Sequence, residues 1–110
     1  MDEAFSAKWK GRGVDFSLSD RGDTIALNKV VIPSGDRGAG VGTEFMTDLI
    51  ADADAQGKRI VLTADDSLGA TSKGRLKKFY KRFGFVENSG KNKDYSISES
   101  MYRPPSKPNN

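Results

Sequence analysis

"IPSGDRGAGVGTEFMTDLI" (Ile32–Ile50) is the stretch on which the reading of this chain turns. The "VVI" run that leads into it (Val30–Ile32) is β-branched and apolar, and Pro33 ends it. Beyond the glycines, Val41, Phe45, Leu49 and Ala53 recur at helical spacing, flanked by Met46 and Ile50. That period predicts an amphipathic helix to about Gln56, closed by Gly57. A strand, a glycine turn and a helix in this order leave amides exposed at the positive end of the helix dipole. Such a turn accepts an anion, and glycine lets a phosphate approach the backbone. Arg37 adds a cation at its rim. An ordinary strand-to-helix turn that uses glycine only for its geometry accounts for the composition equally well.

On the N-terminal side, Val14, Phe16 and Leu18 alternate with polar residues and read as a half-buried strand. "DRGD" (Asp20–Asp23) is a turn, and "TIALNKVVI" (Thr24–Ile32) is a second strand, giving a hairpin. The end of that second strand is apolar on both faces, the pattern of a central strand covered on both sides. An earlier strand is read around Phe5–Trp9. On the C-terminal side, Lys58–Ala64 is a strand expected to lie parallel to Thr24–Ile32 through a right-handed crossover. Ser72 is placed to cap a helix running to about Phe83, with Leu76, Phe79, Tyr80 and Phe83 on one side and Gly84 as its stop. "FVE" opens a short strand, "DYSISESMY" is a final alternating strand, and "RPPSKPNN" is a proline-rich tail. Together these give one domain over residues 1–103 and a tail over 104–110.

The 110 residues suffice for one core, and 35% hydrophobic with 30% charged content is globular. The chain has neither cysteine nor histidine. Disulfides, thiol nucleophiles, Cys/His zinc sites and the usual catalytic triads are therefore excluded. No Asp/Glu spacing suggests a calcium loop, so no metal is expected. No apolar run is long enough for a bilayer, and "MDEAFSAKWK" is not a secretion signal, so the expected location is the cytoplasm. The net charge of +3 suits an anionic ligand, an acidic partner or weak nucleic-acid contact.

Two phosphate-binding signatures fit poorly. A P-loop needs Gly-Lys-Ser/Thr at the helix start, where this chain has Gly42-Thr43-Glu44, and the glutamate there would repel a triphosphate. The dinucleotide fingerprint is G-x-G-x-x-G, whereas Gly38, Gly40 and Gly42 are spaced G-x-G-x-G. A third fits. "RGAGVG" (Arg37–Gly42) matches R-x-x-G-x-G and resembles the acyl-CoA-binding motif of the GNAT superfamily of N-acyltransferases. "LKKFYKRFGF" (Leu76–Phe85) is similar to that family's later helix, which carries a tyrosine and ends in Gly-Phe. The two motifs stand in the family's order across roughly Thr24–Val86. The whole pattern, with its "MYRPP" ending, resembles small phage-encoded members.

The resemblance implies a mixed α+β fold. Its centre is a GNAT-like, largely antiparallel mixed sheet with a splayed strand pair and helices on both faces. It implies acetyl-CoA as co-substrate, with the pyrophosphate on Arg37, Gly38, Ala39, Gly40, Val41, Gly42 and Thr43. The pantetheine arm would lie along Val30, Val31 and Ile32, and the thioester in the gap between this strand and Lys58–Ala64. Tyr80 matches the tyrosine that protonates the departing thiolate. A tyrosine with its ordinary pKa of about 10 carries that proton at neutral pH. The acceptor is expected to be a primary amine, first a protein lysine or N-terminus, attacking the thioester directly. For the base, Tyr95, Ile97, Glu99 and Met101 fall on one face of the final strand, and Glu99 among apolar neighbours is expected to have a raised pKa. An edge carboxylate in solvent, Asp65 or Asp66, and a base acting through water are its competitors.

The chain departs from the family pattern in three places. Three residues separate Pro33 from Arg37, where the family commonly has two. Ser72 and Lys73 stand where an asparagine is frequent, so Ser72 either touches CoA or only caps the helix. Too few residues precede the hairpin for the two helices that usually come first. That implies an acceptor site open to a protein segment, or one walled by a second subunit in a homodimer. Lys73, Arg75, Lys77, Lys78, Lys81 and Arg82 make the Tyr80 helix basic, with Lys73, Lys77 and Lys81 in a stripe. The stripe suits the 3′-phosphate of CoA, an acidic partner or plain solvation. Nucleic acid is not the expected partner, since no recognised binding motif is present. The alternative to an enzyme is a non-catalytic binding protein of the same fold acting by protein contact.

Overall fold

The computed structural model describes residues 3–31, 40–63 and 73–105. Among these, helix α1 (Glu3–Gly11) precedes strands β1 (Asp15–Asp20) and β2 (Thr24–Val31). Helix α2 (Val41–Ala55), strand β3 (Arg59–Leu62), helix α3 (Lys73–Lys81) and strands β4 (Val86–Glu87) and β5 (Met101–Arg103) follow. The sheet order is β1-β2-β3-β5-β4. β2 and β3 are parallel, and every other neighbouring pair is antiparallel.

The first correction is at the N-terminus. Residues 5–9 lie in a helix and not in the expected strand. Phe5 and Trp9 are one helical turn apart, so a helix buries both against Phe45, at ring-centroid distances of 5.6 and 5.5 Å. A helix therefore does precede the hairpin. It ends where the amides of Gly13 and Val14 donate back to the carbonyls of Lys10 and Trp9, with Gly13 at a left-handed φ of 81°.

Pairing along β2 changes half-way. Thr24 to Leu27 lie opposite Arg59 to Leu62 of β3, and beyond Leu27 the register with β3 stops. On its other side β2 pairs with β1 throughout, but the register shifts: Ser17 faces Lys29 while Leu18 faces Leu27. Asn28 is the extra residue, a bulge that bends the strand. The burial of β2 is accordingly the reverse of the expected one. Thr24 to Leu27 are buried, and Val30 and Val31 only half-buried, because β3 accompanies only the first half.

Ile25, Leu27, Ile60, Leu62 and Met101 share one core with α1, α2 and α3. Phe45 sits in its middle, with Phe16 at 5.3 Å besides Phe5 and Trp9. The three α-helices all contribute side chains to this core, on one face of the sheet. The other face is a small cluster of Ala26, Val61, Ile97 and the half-buried Tyr102. Ile97 reaches it because the expected strand over Asp94–Tyr102 does not form: only Met101–Arg103 pairs, and residues 94–100 leave the sheet to lie across it. The buried Asn88 holds that segment. Its side chain accepts from the Asp94 amide at 2.6 Å and donates to the Glu99 carbonyl at 2.9 Å. Arg59 to Asp94 and Arg21 to Glu99 pin the segment at two further points.

Candidate active site at the carboxyl ends of the parallel strands

The two parallel strands end on the same side of the sheet, where open α/β sheets place their ligands. There, residues 28–31 of β2 have no partner strand on the β3 side among the described residues. This half of β2 extends past the described end of β3, and its backbone groups on that side can receive an extended chain such as a pantetheine arm.

α2 begins at the same end. Gly40 is its N-cap, at φ 82° and ψ 7°, and among the described residues no side chain caps the helix. The first backbone bond returns from the Glu44 amide to the Gly40 carbonyl at 2.9 Å. The amides of Val41, Gly42 and Thr43 precede that bond, and among the described residues no side chain caps them. They carry the positive end of the helix dipole. Glu44, which the sequence set against a triphosphate, is met by Arg12 at 2.6 Å.

Tyr80 lies on the buried side of α3, against Phe79 at 5.3 Å and Phe85 at 5.7 Å. Its hydroxyl makes no hydrogen bond among the described residues. Burial pushes its pKa above the ordinary value, so the proton is held more firmly than in a free tyrosine.

Val30 and Val31 are therefore on the half of β2 past the described end of β3, Gly40 to Thr43 form the helix start, and Tyr80 belongs to the core that also holds Leu62 and Met101. Ile32, Arg37, Gly38, Ala39, Ser72, Asp65 and Asp66 lie outside the described residues.

Glu99 is corrected. The row of Tyr95, Ile97, Glu99 and Met101 does not form, because the chain there is not a strand: Tyr95 is 87% exposed, Ile97 packs on one face and Met101 on the other. The Glu99 carboxylate accepts from Arg21 at 2.8 Å, and that bond lowers its pKa where a rise was expected. Its other oxygen is buried without a hydrogen-bond partner among the described residues.

The basic helix also resolves into two groups. Lys77 and Lys81 pair with Glu87 at 2.9 and 3.1 Å. Lys78 and Arg82, together with Lys81, border a shallow groove with Phe79, and Arg82 lies 5.6 Å over the Phe79 ring. Among the described residues no helix is long and apolar enough to cross a membrane.

No protein-family model matches the chain, and no curated protein matches it. Solved structures do. The chain is similar to a GNAT-family acetyltransferase of Staphylococcus aureus Mu50, at TM-score 0.60 and 21% identity, over 83% of this chain and 58% of that one. It is similar to Ard1 of Thermoplasma volcanium at TM-score 0.59 and 19% identity, over 86% and 64%. The fold is that of the GNAT acetyltransferases. A third GNAT-fold match is a mutant AtaT toxin bound to acetyl-CoA and to the C-terminus of its antitoxin AtaR. There the TM-score is 0.52 and the identity 16%, over 83% of this chain and 55% of the toxin. The chain spans about three-fifths of the length of the structures it matches.

Within the GNAT fold, sequence reasoning missed three features. The Asn28 bulge has no signature in "TIALNKVVI". The Asn88 clamp joins residues that are separate in sequence. The Arg12–Glu44 contact was legible only as two i, i+4 pairs, Lys8/Arg12 and Glu44/Asp48, on elements not known to touch.

Proposed function

We propose that this chain binds acetyl-CoA at the start of α2 and transfers its acetyl group to a primary amine, a protein lysine or N-terminus. The observation that carries the reading is a helix start without a side-chain cap among the described residues, at the same end of the sheet as the half of β2 that runs past the described end of β3. The acyl-CoA-type motif at Arg37–Gly42 and the GNAT fold support it.

The roles follow from chemistry. Val41, Gly42 and Thr43 offer amides to the pyrophosphate, with Arg37 and the turn before them completing the cradle. Val30, Val31 and Ile32 line the pantetheine arm, and Ser72 is the remaining contact or cap. The amine attacks the thioester carbon and forms the C–N bond. A backbone donor near Val31 stabilises the oxyanion. As the C–S bond breaks, Tyr80 gives its hydroxyl proton to the thiolate, and the ammonium proton leaves to water. Burial keeps Tyr80 in the donor form that this step requires. Glu99 has no part, because a carboxylate stabilised by Arg21 is a poor acceptor for an ammonium proton.

Calorimetric titration with acetyl-CoA and CoA, beside a Gly40→Glu variant, tests the site. Binding to the wild type that the variant loses is the expected result. A folded wild type that binds neither rejects the reading. An acceptor screen with lysine and N-terminal peptides then tests the reaction.

The Arg21–Glu99 pair, which removes the one base candidate among the described residues, favours a second reading: a GNAT-fold protein that acts by contacting a partner. The mutant AtaT toxin, which this chain resembles in fold, is seen bound to the C-terminus of its antitoxin. A Tyr80→Phe variant separates the two, abolishing turnover for an enzyme and leaving partner binding intact for a binder.

A further inference from the structure

α1 supplies something that the amino-acid pattern of the site lacks. Glu44 stands in the first turn of α2. Side chains on a helix lean toward its N-terminus, so this carboxylate covers the turn before it. Left alone, its charge would oppose any anion held by the amides of Val41, Gly42 and Thr43. It is not alone. Arg12, just past the end of α1, donates to Glu44 Oε2 at 2.6 Å, and its guanidinium carbon lies 4.8 Å over the Trp9 ring. One turn further along, Lys8 and the indole N–H of Trp9 both donate to Asp48 Oδ2, at 3.0 and 2.8 Å. These bonds, that of Trp9 foremost, lower the Asp48 pKa. Lys8 and Arg12 are four residues apart on one chain segment, and Glu44 and Asp48 four apart on the other, so the contacts form two matched rungs.

Stability alone gives weak reason for the upper rung. The Arg12 and Glu44 side chains are 41% and 56% exposed, and an ion pair so wetted contributes only about 0–1 kcal/mol. Phe5 and Trp9 already bury α1 in the core. The charge of Glu44 matters where the ligand's charge is to be held.

We infer that Arg12 is a positioning residue for the cofactor's pyrophosphate: it neutralises Glu44, holds it toward α1, and so makes the start of α2 receptive to an anion. The inference rests on the acetyl-CoA reading above and names a device that reading does not contain. It also gives the N-terminal helix a part in the site.

The test is CoA titration into the wild type, Arg12→Gln, Glu44→Gln, the double variant and Arg12→Lys, at low and high salt, with thermal melts alongside. Arg12→Gln is expected to weaken CoA binding about three- to tenfold at low salt, with less effect at high salt. Its melting temperature should change little. Glu44→Gln is expected to bind more tightly than the wild type at low salt, the double variant to recover wild-type affinity, and Arg12→Lys to keep most of it. Arg12→Gln binding as the wild type overturns the inference. So does a double variant as weak as Arg12→Gln, because Arg12 then acts without Glu44. If Arg12→Gln fails to fold, Glu44→Gln still decides: tighter binding at low salt upholds the inference, and equal or weaker binding overturns it. A wild type that binds no CoA removes the acetyl-CoA reading and this inference with it. A wild type that binds CoA, with variants that do not respond, removes this inference alone.

Discussion

Tyr80 shows how one burial serves two ends. The ring fills the core between Phe79 and Phe85, while desolvation raises the hydroxyl pKa and keeps the proton in place. The hydroxyl has no described partner, so Tyr80→Phe leaves no donor orphaned and should cost little stability. Turnover by that variant is expected to fall about 10²- to 10⁴-fold, with acetyl-CoA affinity nearly unchanged, in steady-state kinetics beside calorimetry. The shift also fixes a sign. The unfolded tyrosine ionises near pH 10 and the folded one resists, so stability should decline as pH rises past 10, and an ultraviolet phenolate titration should show one of the three tyrosines titrating late. Phe45 is the opposite kind of residue, with no chemistry and the most aromatic neighbours. Its replacement by alanine should cost about 3–5 kcal/mol in urea unfolding, because three rings close on it and none can fill the void.

At the scale of the element, the start of α2 and the segment across the sheet each depend on one residue. Gly40 holds a left-handed conformation with open space where a Cβ would go. Gly40→Ala therefore meets backbone strain and no clash, at a cost of about 1–2 kcal/mol. Denaturant unfolding checks the cost, and CoA titration shows whether the strained turn still binds. Asn88 ties the Asp94 amide and the Glu99 carbonyl to β4. Asn88→Ala removes these two bonds and a longer one to the Ile97 carbonyl, at 3.4 Å, and should cost about 1–3 kcal/mol. Hydrogen exchange should then show faster exchange at Asp94 while the amides of Phe45 and Leu49 in α2 remain protected. Protection lost equally in α2 would mean that the segment is not a separate cover but part of the main cooperative unit.

The whole molecule is joined across its elements by carboxylates held in the charged form. Lys58 lowers the pKa of Asp20, Trp9 and Lys8 that of Asp48, Lys77 and Lys81 that of Glu87, and Arg21 that of Glu99. Ser96, and then Arg59, pull Asp94 down to about 2. Depressed values mean that this stabilisation is present above the unfolded carboxylate range, near pH 4, and is lost as pH falls through the folded values. The melting temperature should therefore drop steadily from about pH 5 to pH 2, and Asp94→Asn should flatten the lowest part of the curve. Each pair keeps at least one partly exposed partner, so molar salt should weaken the effect at neutral pH. A flat profile down to pH 2 would show that these pairs contribute nothing to cohesion.

The sequence by itself determined whatever depends on neighbours along the chain. The hairpin, the α2 period from Val41 to Ala53 and its glycine stop were all read from spacing, as were the parallel placement of β2 and β3 and the Tyr80 helix ending before Gly84. These follow from local periodicity, turn chemistry and a crossover long enough for one helix. Only the tertiary structure decided what depends on which surfaces meet. Residues 5–9 became a helix because Phe45 offers one place to bury both Phe5 and Trp9. The last apolar alternation broke because Ile97 is better buried on Ala26 and Val61 than in line with Met101. Glu99 became half of an ion pair, and Glu44 acquired Arg12, because charges distant in sequence find one another only after packing has fixed the distances. Periodicity records which side of an element is apolar; it does not record which element will lie against it.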